Sequence, residues 1–198
     1  MLETKRCYIL FIITLIIVIL LYNYADKQIA LYFYSIPSDS LFKEFFHFMT
    51  KFGKSEWYLV PSFLLYLYFR KKKNRKYAKI SLYIFITNLV AGIGVWFIKI
   101  PFGRARPKLY ILDNIYGFKW FEFHHSITSF PSGHTITAIS SAFALGFIFP
   151  KYKYLFLIFS IFVAFSRVVG VNHYMSDVVF ASFLGYLIAL ILYKKYFK

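Results

Sequence analysis

The chain has 198 residues, of which 60% are hydrophobic, 24% aromatic and only 16% charged, with a net charge of +16. Soluble domains run nearer ~45–50% apolar and ~25% charged, so this composition points away from a water-soluble globule and toward one membrane-embedded domain over residues 1–198. Membrane topology accounts for the basic excess better than a nucleic-acid partner does, and the single cysteine, Cys7, excludes an intramolecular disulfide and any multi-cysteine metal site.

A short basic lead, residues 1–6, precedes an apolar run over 7–22. The pair would suit a signal peptide, but Tyr22-Asn23-Tyr24-Ala25 offers no small-x-small cleavage site, so an uncleaved first transmembrane helix is expected. Residues 26–56 are mixed and aromatic. Within them Leu41, Phe42, Phe45, Phe46, Phe48 and Met49 recur at helical spacing. That pattern reads either as an amphipathic helix at the membrane interface or as a connecting helix packed on the bundle. Residues 57–69 form a second apolar run, short against the roughly 17–25 residues a span needs.

Residues 70–79 carry seven bases and no acid, a solvated run that fixes topology. A third helix is expected over 80–98, where Gly92 and Gly94 would allow close packing. Residues 99–130 read as a loop punctuated by Pro101, Gly103, Pro107 and Gly117, and loops of that length are usually functional or disordered. Apolar runs at 135–149, 154–165 and 178–193 give the fourth, fifth and sixth helices, with a polar segment at 166–177 and a basic tail at 194–198. The expected fold is all-α: a bundle of six transmembrane helices with an interfacial amphipathic helix.

With the N-terminus inside, the cytoplasmic segments hold fourteen bases against one acid, Glu3, and the opposite side holds ten bases with seven acids. Six spans with both termini inside satisfy the positive-inside rule. Segments 99–130, 130–135 and 166–177 then share the non-cytoplasmic face, where three polar clusters converge. Lys99 is followed after six residues by Arg106-Pro107. Pro131-Ser132-Gly133-His134 sits at the start of an apolar helix. Ser166-Arg167 is followed after five residues by His173 and, four later, by Asp177.

Lys99, Arg106 and Arg167 are three fixed cations for a phosphate dianion, and arginine's planar fork can bind two phosphate oxygens at once. Ser132 and the Gly133 N–H, at a helix start, add donors that strengthen as charge develops on a transferring phosphoryl group. On a helix, the i,i+4 spacing of His173 and Asp177 puts them on one face. A carboxylate on one imidazole nitrogen fixes the tautomer and leaves the other free to attack phosphorus. His134 is then free to protonate the leaving alkoxide and to activate water. Together these residues make a two-step phosphate-ester hydrolase without metal.

Plainer readings stand beside this one. Pro-Ser-Gly is also an ordinary turn, and Asp177 before an apolar run also reads as an N-cap of the sixth helix. Arg104 and Lys108 are expected simply to meet lipid phosphates at the membrane edge. His47, His124 and His125 read as interfacial or loop residues. A zinc site from His124, His125, His134 and His173 lacks the usual spacings, and Ser132 is not in a Gly-x-Ser-x-Gly elbow.

Jointly, the three segments resemble the signature motifs of the type-2 phosphatidic acid phosphatase superfamily, the lipid phosphate phosphatases: KxxxxxxRP, PSGH and SRxxxxxHxxxD. Every motif position matches, in order and spacing. Soluble vanadium-dependent haloperoxidases carry the same motifs, but so apolar a bundle is similar to the membrane branch. The resemblance implies phosphate binding by Lys99, Arg106, Ser132, Gly133 and Arg167. It also implies a phosphohistidine on His173, acid/base work by His134, orientation of His173 by Asp177, and no cofactor. The expected substrate is a membrane lipid phosphate: undecaprenyl diphosphate, phosphatidylglycerol phosphate, phosphatidic acid or a lipid A type. The reaction would run at the outer face of the cytoplasmic (inner) membrane. A phosphotransferase using the same intermediate is the alternative, and a non-enzymatic lipid-phosphate transporter a more distant one.

Overall fold

The computed structural model describes residues 2–121 and 124–197, with the side chains of 2–4 left aside. Met1 and Lys198, which end the basic lead and tail, and Glu122 and Phe123 in the long loop, lie outside the described residues, as does the Glu3 side chain counted above on the inner side. The described residues are helical apart from connecting turns and one isolated bridge, Arg104 with Phe118.

Helix α1 (Leu2–Tyr24) breaks at Ala25, and α2 (Asp26–Ser35) follows at once. Helix α3 (Leu41–Thr50) starts where the Ser40 side chain accepts the Lys43 N–H at 3.3 Å. It packs on α8 (Lys153–Val169) through Phe46, whose ring meets Phe162 and Phe165, while Leu41 and Phe48 stay exposed. That is the bundle-packed alternative for this segment. Helix α4 (Glu56–Lys71) ends in the basic run, and Asn74 caps α5 (Arg75–Phe102). A short α6 (Pro107–Asp113) starts with proline at its first position. Helices α7 (Gly133–Ile148) and α9 (Met175–Phe197) complete the chain.

Helix α7 is the axis, packed on α5, α8 and α9, with Ala138, Ala142, Ala144 and Gly146 among its buried residues. Small side chains let the backbones close in. At Gly185 on α9 the approach is tightest: a Cβ there would stand 3.0 Å from the Ile136 carbonyl oxygen and the Ser140 nitrogen. Polar side chains tie the bundle: Tyr83 Oη donates to the Ala189 carbonyl at 2.9 Å, and Ser141 Oγ to Asn88 Oδ1 at 2.7 Å. Such bonds are favoured where no water competes. The outward faces are apolar, as Ile16 (53% exposed), Leu64 (59%) and Ile161 (58%) illustrate, and suit hydrocarbon rather than water.

Among the described residues four helical segments are long and apolar enough to cross a membrane: Lys5–Tyr24, Arg75–Phe102, Pro150–Val169 and Met175–Phe197. Helices α4 and α7, with 16 residues each, fall short of the ~20 that a straight span requires.

Several boundaries differ from the sequence expectation in ways that matter for the site. Helix α5 does not stop at 98 but runs through Pro101 to Phe102, so Lys99 is on a helix and not in a loop. Gly103 ends it in the left-handed conformation at φ +50, which glycine adopts without steric cost. Helix α8 extends to Val169 and carries Arg167. Helix α9 begins at Met175, so Asp177 is helical and His173 precedes the helix. Helices α2 and α6 were not anticipated.

Candidate active site

The ends of α5, α7, α8 and α9 meet at one end of the bundle around a cavity of about 420 Å³. Lys99, Arg106, Gly133, His134, Arg167 and His173 all line it, so six of the eight sequence-predicted site residues share one space. Ser132 and Asp177 lie behind its wall, each fully buried. A second cavity, about 510 Å³ between α3 and the turn before His173, holds none of the motif histidines or cations.

Helix α7 points its start at the cavity. The extended conformation of Ser132 makes it the N-cap residue, and its hydroxyl accepts from Thr135 Oγ1 at 2.9 Å. Among the described residues the N–H groups of Gly133, His134 and Thr135 have no hydrogen-bond partner. Those free donors at a helix N-terminus suit an anion. A Cβ on Gly133 would stand 4.0 Å from Lys99 Cε, taking space between the lysine and the helix.

The three cations are held by backbone and hydroxyl oxygens, and among the described residues no carboxylate is bound to any of them. Lys99 Nζ donates to the Thr128 carbonyl at 2.5 Å. Arg106 Nε donates to the His125 carbonyl at 2.9 Å, with a longer contact of 3.5 Å from Nη1 to the Asn172 carbonyl. Arg167 Nη1 donates to Thr50 Oγ1 at 2.6 Å, and its buried Nε has no partner among the described residues. Partial burial lowers the Arg106 pKa from the ordinary guanidinium value, against the pull of Asp177. Positive charge gathered and left without a carboxylate is a site built for an anion.

His173 is 4% exposed. Its Nδ1 lies 2.7 Å from the Ser129 carbonyl oxygen, so Nδ1 carries the proton and donates it. Nε2 then keeps its lone pair and, among the described residues, has no partner. Asp177 Oδ2 stands farther away, 3.7 Å from Nδ1, and reaches the ring through Ser129: Ser129 Oγ donates to it at 2.6 Å. The carboxylate thus works mainly at one remove, a geometry that the i,i+4 spacing alone did not predict. Asp177 Oδ2 also accepts the Tyr174 N–H at 2.9 Å. Asp177, third in α9, accepts that N–H from within the helix, so it is not the N-cap residue that its place before an apolar run suggests. Burial pushes the His173 imidazole well below its usual range, opposed by Asp177 and reinforced by Lys99, Arg167 and Arg106.

Arg104 departs most from expectation. It is 1% exposed and meets no lipid; its guanidinium bridges Asp26 of α2 and Asp177 of α9. Gly103 turns the chain so that the next side chain points inward, which sequence spacing does not reveal. His125, expected to be a plain loop residue, lines the cavity, and the nearby Arg106 holds its imidazole below the usual range. Lys54 and Gly53, from the link between α3 and α4, were also missed.

Residues 76–198 match the family model described as the PAP2 superfamily. The chain is 34% identical over 152 residues to a lipid A 1-phosphatase of Rhizobium etli, covering 69% of the chain and 64% of that relative. It is 34% identical over 144 residues to a lipid A 1-phosphatase of Rhizobium johnstonii, covering 66% of the chain and 58% of the relative. The chain therefore spans somewhat less than two thirds of these relatives. Its fold is similar to the crystal structure of a transmembrane PAP2-type phosphatidylglycerolphosphate phosphatase from Bacillus subtilis. The TM-score there is 0.64 at 22% identity, over 97% of both chains.

Proposed function

The chain belongs to the PAP2 superfamily, and from that footing we propose that it is a lipid phosphate phosphatase working through a phosphohistidine on His173. The observation that carries the reading is the held imidazole: Nδ1 is tied to the Ser129 carbonyl, and the bare Nε2 belongs to a ring lining a cavity with Lys99, Arg106 and Arg167.

The substrate phosphate binds against these three cations and the free N–H groups from Gly133 onward, with Ser132, buried behind the wall, setting the turn that aims them. His173 Nε2 forms a bond to phosphorus as the bond to the lipid oxygen breaks. His134 gives its proton to the departing alkoxide. In the second step His134 takes a proton from water, the water oxygen bonds to phosphorus, and the P–N bond breaks to release inorganic phosphate. Asp177, through Ser129, keeps His173 in the reactive tautomer during both steps.

A lipid A type of phosphate leads the substrate candidates because the curated relatives carry that description. Undecaprenyl diphosphate, phosphatidylglycerol phosphate and phosphatidic acid follow, since the motif residues contact only phosphate. The chain is read as six spans in the cytoplasmic membrane, with α4 and α7 crossing as short helices. Spans of 16 residues are accommodated by local thinning of the bilayer at modest cost. Both termini lie inside and the cavity faces outward, in keeping with the inner-side excess of bases.

Phosphate release from these four lipids by purified protein tests the reading. Release from at least one, lost in His173→Ala, is expected. Release from none sinks it, and transfer of the phosphate to another lipid instead of water would make the protein a phosphotransferase.

A further inference from the structure

We propose that Arg104 and Asp26 are positioning residues for His173, forming with Asp177 a buried charge triad that extends the site into α2. The inference rests on His173 being the attacking group. Asp26 lies outside residues 76–198, and neither residue lines the catalytic cavity.

The triad is closed to water. Arg104, Asp26 and Asp177 are each at most 1% exposed. Arg104 Nη1 contacts Asp177 Oδ1 and donates to Ser176 Oγ at 2.7 Å, while Nη2 donates to Asp26 Oδ2 at 2.7 Å. The rings of Tyr174 and Tyr22 cover the guanidinium at 4.4 and 4.9 Å. So one cation neutralises two carboxylates that would otherwise repel each other in a medium of low dielectric.

Each end of the triad grips something the reaction needs. The Arg104 carbonyl accepts the Ser129 N–H at 2.9 Å, and its side chain fixes Asp177, which accepts the Ser129 hydroxyl. Ser129 is thereby clamped from two sides, and its carbonyl is the partner of His173 Nδ1. Asp26 accepts the Ser176 N–H at 3.0 Å and also binds the Ser176 hydroxyl, so a carboxylate from α2 sits at the start of α9. That is where a negative charge is favoured, and it sets the turn from which Asp177 projects. Because the triad touches Ser129 and Asp177 but not the cavity, its loss acts on the chemical step and not on phosphate binding.

The test compares Arg104→Gln, Arg104→Lys, Asp26→Asn and the double variant Asp26→Asn/Arg104→Gln, as full-length protein in liposomes. Arg104→Gln is expected to lower kcat by about 10–100-fold, the usual range for a residue acting through another. KM and the inhibition constant for orthovanadate stay within about twofold, and Arg104→Lys recovers part of the loss. The double variant, with one fewer uncompensated carboxylate, is expected to turn over faster than Arg104→Gln. Asp26→Asn alone loses kcat severalfold, which keeps the proposal testable if Arg104→Gln does not fold. Unchanged kcat in Asp26→Asn or in Arg104→Gln, a loss carried by KM or vanadate affinity, or a double variant no better than Arg104→Gln overturns it. Nitrogen-15 NMR of the histidine rings, assigned by His173→Ala, reads the same point without turnover. His173 is expected to hold a single Nδ1–H tautomer in wild type and to average between tautomers in Arg104→Gln; a single tautomer in both overturns the proposal. An inactive wild type would sink the phosphatase reading and leave the NMR comparison to decide the triad.

Discussion

Gly53 lies directly against the ring of His134: a Cβ on it would come within 2.6 Å of His134 Cδ2 and 2.7 Å of its Cβ. The glycine follows α3, far from His134 in sequence, and its lack of a side chain is what lets His134 sit in the cavity wall. Its backbone conformation is open to alanine, so contact alone makes it special. Gly53→Ala is therefore expected to displace the imidazole and lower kcat by about tenfold or more, with overpacking costing about 1–3 kcal/mol of stability. Steady-state kinetics beside a thermal melt check this; wild-type kcat would mean His134 is not held by this contact.

Arg167 is held by one hydroxyl. Thr50→Val removes the acceptor at 2.6 Å and leaves the guanidinium less ordered, so KM for the lipid phosphate should rise severalfold with kcat little changed. Arg167→Ala removes the cation itself, and a loss of about 10²–10³ in kcat/KM is expected. Thr50→Val equal to wild type in KM would show that the hydroxyl does no positioning.

The acid limb of the pH profile carries a sign. Attack needs neutral His173, which exists above its folded pKa. Burial first, and the nearby cations Lys99, Arg167 and Arg106, depress that pKa, against the opposing pull of the Asp177 carboxylate. The neutral form therefore persists to lower pH than for a free imidazole of about 6.5, and the acid limb of kcat/KM should fall below that value. Arg104, Asp26, Tyr174 and Tyr116 also surround the dyad, but lie behind it. A profile measured from pH 4 to 9, on the order of one unit per step or finer, decides this; a limb above the free-imidazole value contradicts the account.

Topology has its own test. A reporter fused after Lys73, in the run of seven bases, should read cytoplasmic, and one placed at Asp113 in α6 should read external. The reverse pattern would put the cavity on the inner leaflet.

Six of the residues that line the cavity, Lys99, Arg106, Gly133, His134, Arg167 and His173, are legible in the sequence, because their motif is a matter of local spacing and type. The apolar runs likewise marked the centres of the long helices. What stayed hidden depends on contacts remote in sequence. The partner of Arg104, Asp26, lies 78 residues earlier, and the arginine's neighbours give no reason to expect a buried side chain instead of one at the membrane edge. Helix α2 mixes Asp26, Lys27 and Gln28 with aromatics, so no clear period announced it. Lys99 looks like loop because Pro101 follows, yet α5 continues through the proline to Phe102 at the cost of one hydrogen bond, the one a Pro101 N–H would have made to the Phe97 carbonyl. The role of Ser129 was invisible for a different reason: it acts through its backbone carbonyl, which every residue type possesses.

The central claim is that His173 makes the bond to phosphorus. Rapid quench of the protein with a labelled lipid phosphate, followed by peptide mapping under basic conditions that preserve phosphohistidine, tests it most directly. The account predicts an acid-labile phosphoryl group on the peptide containing His173 that forms and decays within turnover and is absent in His173→Ala. Full hydrolysis by His173→Ala, or label found on another residue, would contradict it.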